Sequence, residues 1–237
     1  MERLIKRYKD RKFAELNAEI SKLSKQFPTH FFLHNLGGVV AAQTGLKDRA
    51  LRYFNRAIEI RPYAPEAFVN LGNLYHQNGE HDKAIEVFNE AIRLERVNAG
   101  AHDGLGLVLM DLGRYKEALI VYETALKFIP KSSQILFNQG NAYQKTDQLE
   151  KAVESFNKAL ILQPNFFAVH NNLGHVYLDQ GDFDKAIEAF QRAISLEPNS
   201  YETYCNLANA LTKSQDFEKA IETYEFSLSL NPMDMGV

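Results

Sequence analysis

The chain has 237 residues, 45% hydrophobic and 24% charged, with a formal net charge of −3. That is the composition of an ordinary soluble protein. It argues against a nucleic-acid partner, which calls for a clustered excess of positive charge. A single cysteine, Cys205, excludes an internal disulfide and suits a reducing compartment, so a cytoplasmic location is expected.

The first twelve residues, MERLIKRYKDRK, carry six basic and two acidic side chains. They lack the apolar stretch of a signal peptide. No later apolar run approaches the ~18–20 residues needed to cross a bilayer, so no membrane partner is expected. The basic stretch reads as the solvated face of a short capping helix. Phe13, Leu16, Ile20 and Leu23 follow at helical spacing and Pro28 closes them. Residues 1–29 are therefore read as a truncated leading repeat. From there the chain divides into units 30–64, 65–98, 99–132, 133–166, 167–200 and 201–234.

A period of 34 residues carries that division, with repeat starts at Pro65, Ala99, Ser133, Phe167 and Tyr201. Position 8 of each unit reads Gly72, Gly106, Gly140, Gly174 and Ala208. Position 20 is alanine throughout, from Ala84 to Ala220. Position 24 is aromatic: Phe88, Tyr122, Phe156, Phe190 and Tyr224. Within a unit Phe68, Leu71, Gly72 and Tyr75 form one helical stripe, and Ala84, Phe88 and Ala91 form another. Gly79, Gly113 and Gly181 fall between the two helices, where a left-handed residue ends the first. Asp147 and Gln215 replace that glycine, and Gln215 tolerates the conformation less well than Asp147. The first full unit is 35 residues long and needs one residue inserted near Thr44-Gly45, so that Leu36-Gly37 matches the Leu-Gly of the others.

These positions resemble the tetratricopeptide repeat, and the segment from Ala67 to Ile92 fits it almost residue for residue. The resemblance implies an all-α, right-handed α-solenoid of helix-turn-helix repeats. It implies a scaffold that binds a protein or peptide, without enzymatic activity, catalytic residues or cofactor. The face of the first helices would line a concave groove. Chaperone-binding members hold a C-terminal carboxylate with Lys or Arg at positions 2, 5 and 6. No position 2 or 5 here is basic, and position 6 carries asparagine or glycine, so that ligand is not expected.

What stands out on the expected groove is asparagine. Position 6 reads Asn35, Asn70, Gly104, Asn138, Asn172 and Asn206; position 9 adds Asn73, Asn141, Asn209 and, in the fifth unit, His175. These positions lie about 170° round the helix from the apolar stripe. Asparagine forms helices roughly 0.6 kcal/mol less well than alanine. It both donates and accepts, which suits an extended peptide backbone. The row resembles the asparagine ladder in the tetratricopeptide superhelix of O-GlcNAc transferase. A substrate-recruiting part of a larger glycosyltransferase or sulfotransferase is the second reading, and a self-assembling scaffold the third.

Other chemistry is weak in the sequence. His170 and His175 are five residues apart, too far round a helix to share a metal, so no metal site is expected. DGLGLVLMDLG from Asp103 lacks the third glycine of a dinucleotide loop and has no preceding strand. At the C-terminal end Phe217, Ile221, Tyr224 and Leu228 form an apolar stripe, with Phe226 near it and only NPMDMGV after Leu230. That stripe is expected to be an open face suited to a homodimer.

Overall fold

The computed structural model describes residues 2–231, which form fourteen α-helices and no strand. Residues 232–237, which include Pro232, lie outside the described residues. The chain divides into two compact units, Met1–Arg114 and Tyr115–Val237. The first holds α1 (Glu2–Lys9), α2 (Phe13–Gln26), α3 (Phe31–Gln43), α4 (Lys47–Ile60), α5 (Pro65–Gln77), α6 (His81–Leu94) and α7 (Ala99–Asp111). The second holds α8 (Tyr115–Phe128), α9 (Ser133–Lys145), α10 (Leu149–Leu162), α11 (Phe167–Gln180), α12 (Phe183–Leu196), α13 (Tyr201–Lys213) and α14 (Phe217–Leu230).

Each unit is a stack of helix pairs. In the first, α3 packs on α4 and α5 on α6, while α4 also meets α5 and α6 meets α7. In the second, α9 with α10, α11 with α12 and α13 with α14 repeat the arrangement. The aromatic of each second helix drives the pairing. Phe54, Phe88, Phe156 and Phe190 are at most 1% exposed. Each ring lies against a glycine on the partner helix: a Cβ on Gly72, Gly140 or Gly174 would stand 2.7, 2.5 or 2.5 Å from it. No real Cβ fits there, so glycine is required by the approach of the two helices and not by backbone conformation.

The first full repeat obeys the same rule and corrects the expected register. A Cβ on Gly38 would meet Phe54 at 2.3 Å, whereas Gly37 faces Ile20 and Tyr53 at 3.0 Å. Gly38 therefore holds position 8. α3 and α4 begin 34 residues before α5 and α6, so no residue is inserted near Thr44-Gly45. Two consecutive glycines make both alignments look equal in the sequence; only the ring contact separates them.

The turns between paired helices are alike. Gly45, Gly79, Gly113 and Gly181 have φ between 70° and 76°. Arg11, Asp147 and Gln215 adopt the same left-handed state at 53°, 58° and 67°. Each is followed by a bond that closes the turn, such as Glu80 N–H to the Tyr75 carbonyl and Asp216 N–H to the Leu211 carbonyl, both 2.9 Å. Gln215 thus takes the glycine shape and carries the strain, about 1–2 kcal/mol for an L-residue.

Two substitutions test this packing in chemical denaturation. Gly140→Ala is expected to destabilise the protein by about 1–3 kcal/mol, because the methyl overpacks the Phe156 ring. Gln215→Gly is expected to stabilise it by about 1 kcal/mol through relief of the left-handed strain. A neutral Gly140→Ala variant would contradict the contact.

Candidate functional site

Successive first helices touch one another: α3 with α5 and α5 with α7 in one unit, α9 with α11 and α11 with α13 in the other. The asparagines lie along these seams, and the structure shows them bonded to each other. In the first unit Asn70 Nδ2 donates to Asn35 Oδ1 at 3.0 Å. In the second, Asn172 Nδ2 donates to Asn141 Oδ1 at 2.7 Å. Asn206 Nδ2 donates to His175 Nε2 at 3.1 Å and reaches Asn171 Oδ1 at 3.4 Å. The row is therefore a ladder in which one repeat's amide donates to the repeat before it. Asn35 holds position 5 in the corrected register, equivalent to Asn171. Both accept from the next helix's position 6.

Not every expected residue is on an accessible face. Asn73 and Asn209 are exposed, and Asn35, Asn70, Asn141, Asn172, His175 and Asn206 are half-buried. Asn138 is only 3% exposed and accepts from Gln134 Nε2 at 3.4 Å, so it takes a packing role. The gap at Gly104 is steric: a Cβ there would come within 2.3 Å of Phe88, whose ring also rests on Gly72. Further ties flank the ladder. His76 Nε2 lies 2.7 Å from Asp111 and Gln144 Nε2 donates to Asp179 at 3.1 Å, so two acids expected to tint the face are already engaged.

The remaining histidines hold linkers. The Nε2 atoms of His34, His102 and His170 lie 3.0–3.1 Å from the carbonyls of Pro28, Arg96 and Pro164, six residues upstream in each case. Among the described residues no group of three His, Cys, Asp or Glu side chains could hold a metal. No described helix is long and apolar enough to cross a membrane.

On α14, Phe217 and Ile221 are 58% exposed, Tyr224 41% and Leu228 38%. Phe226 differs from the expected placement. It lies about 170° round the helix from the centre of that stripe and packs its ring on Tyr204 of α13, centroids 4.8 Å apart.

Tetratricopeptide-repeat profiles match residues 32–63, 53–86, 72–113, 106–147, 140–181, 167–200 and 201–234. The chain belongs to the tetratricopeptide repeat family. Its fold class is the family's, an all-α, right-handed α-solenoid of helix-turn-helix repeats. No curated protein matches it. Among solved structures, MamA residues 41-end from Desulfovibrio magneticus RS-1 is 27% identical, with a TM-score of 0.62 over 72% of this chain and 96% of that one. YrrB, described as a TPR protein with an unusual peptide-binding site, is 24% identical, with a TM-score of 0.63 over 77% and 94%. PilF of Pseudomonas aeruginosa is 20% identical, with a TM-score of 0.74 over 86% and 93%.

The ladder makes one pH prediction for this repeat protein. Burial, opposed by Asp179, lowers the His175 pKa, so the neutral imidazole accepts from Asn206. An unfolded chain takes up the proton near the ordinary value of 6.5, before the folded chain does. Stability is then full above that value, falls as pH drops below it, and levels off once the folded imidazole is also protonated. His175→Asn restores the residue of the other ladders and is expected to shrink the fall in melting temperature between pH 7.5 and 5.5. An unchanged fall would contradict the assignment.

Proposed function

We infer that this chain is a tetratricopeptide scaffold that binds an extended segment of a partner protein along the asparagine face of its first helices. Tetratricopeptide proteins in general serve as non-enzymatic scaffolds, and the fold supports that reading. The observation that carries the finer statement is the ladder. Its bonds use one N–H of Asn70, Asn172 and Asn206 and hold each amide in a fixed orientation. Among the described residues nothing donates to their Oδ1 atoms. Each amide can thus accept from a backbone N–H and still donate its second hydrogen to a carbonyl. Exposed Asn73 and Asn209 extend the row. A fixed array loses little side-chain entropy on binding.

The test is calorimetric titration of a peptide selected from a display library against the full chain. Asn172→Ala with Asn209→Ala removes two contacts worth about 0.5–1.5 kcal/mol each, so affinity is expected to fall roughly 5- to 150-fold with helicity retained. Equal affinity in the double variant would move the site off this face.

The exposed stripe of α14 supports a second reading, that two copies meet end to end through it. Burying each such side chain is worth roughly 1.5–3 kcal/mol, and a face of this kind can meet itself about a two-fold axis. Light scattering over a concentration series is expected to show a dimer that Ile221→Glu with Leu228→Glu abolishes. A monomer at high concentration in the unsubstituted chain would contradict it.

A further inference from the structure

Away from the first-helix face, α2, α3 and α4 enclose a cavity of about 320 Å³. Ser24 and Lys25 of α2, His34 of α3, and Arg49, Arg52 and Arg56 of α4 line it. Four cations around one cavity, with no acidic side chain in its lining, is unusual for a chain of net charge −3.

The repeat itself shows how the cavity arises. Ser24 stands where the other six second helices carry Ile58, Ile92, Leu126, Leu160, Ile194 and Leu228. Ile58 and Ile194 fill that place by packing on their neighbouring cores. A serine leaves the space empty, and its hydroxyl, 9% exposed, donates to the Ser21 carbonyl at 3.3 Å. Arg52 stands where four of the five equivalent positions are acidic: Glu86, Glu154, Glu188 and Glu222. Arg49 has lost its usual partner too. Its counterparts Lys83, Lys185 and Lys219 pair with Glu80, Asp182 and Asp216, but the matching residue before Arg49 is Leu46. Arg49 instead lies 5.7 Å from the Tyr53 ring centre.

The result is an emptied site with uncompensated charge. Among the described residues no carboxylate pairs with Lys25, Arg49 or Arg52. Arg56 is partly engaged, with Nη1 2.8 Å from Glu59 and Nε and Nη2 3.4 Å from the Pro28 carbonyl. A purely structural core would gain nothing from replacing an isoleucine by a serine and a glutamate by an arginine at one place. Both changes favour a compact anion, and guanidinium groups match the geometry of phosphate oxygens better than ammonium groups do.

We propose that this cavity binds a phosphate monoester, presented on a side chain of a partner protein. The enclosure by three helices suits a single protruding group, and arginine clusters recognise phosphorylated side chains by this chemistry. The site is independent of the asparagine face.

The experiment is an NMR titration of the full chain at fixed ionic strength with inorganic phosphate, a phosphoserine peptide and its unphosphorylated form. Saturable shifts of the Arg52 and His34 signals are expected with phosphate and with the phosphopeptide, the phosphopeptide binding more tightly, and none with the unphosphorylated peptide. Arg52→Glu and Ser24→Leu each install the residue of the sister repeats. Each is expected to weaken binding at least tenfold while leaving the melting temperature of the exposed-site Arg52→Glu variant near that of the parent. Binding that neither variant changes would overturn the site. So would an absence of saturable shifts, or binding confined to anionic phospholipid vesicles.

Discussion

The approach of an aromatic ring to a glycine governs this molecule. In each described pair the ring occupies the space where a Cβ would stand, at 2.3–2.7 Å. Glycine inside a helix costs about 1 kcal/mol against alanine. Complete burial of the ring, worth roughly 1.5–3 kcal/mol, offsets that. The contact sets which residue is position 8 and therefore sets the register of every other position. Gly104 shows the same constraint acting on function. The Phe88 ring reaches across to α7 as well as α5, and the asparagine row must break there.

The consequence for the first helices is a seam narrow enough for short side chains to cross. Asparagine has a single methylene before its amide, yet Asn70 and Asn172 reach partners on the preceding first helix at 3.0 and 2.7 Å. The ladder is thus a structural element in its own right. Its members are oriented by neighbours of the same kind, and this separates them from a merely solvated face. Polar ties such as that between Gln144 and Asp179 continue the seam toward the ends of the helices. The second helices serve a different purpose. Their alanines and aromatics make the core, and only where Ser24 and Arg52 depart from the period does a separate pocket open.

Much of this was legible in the amino acids. A fixed period with alternating small and large residues can be read without coordinates, because small-on-large packing is the only way such a pattern closes. The left-handed turns at Asp147 and Gln215 were legible for the same reason: they occupy a glycine's place. Three things were not. Gly37 and Gly38 are indistinguishable until a ring chooses one. Asn138 looks identical to Asn172 in the period, yet burial separates them. Phe226 was grouped with an apolar stripe from which helical geometry puts it nearly opposite, against Tyr204. The basic cavity was accessible in principle, since Ser24 and Arg52 break otherwise regular columns. Its signal lies in second-helix positions, away from the first-helix face where a binding groove was sought.

The most direct measurement follows the asparagine side-chain amides themselves. With a display-selected peptide bound to isotopically labelled protein, the Nδ2 resonances of Asn70, Asn172 and Asn206 should shift and their exchange with water should slow, while the backbone amides of α10 and α12 stay unmoved. Perturbations confined to α10 and α12, with the ladder amides unchanged, would contradict the account.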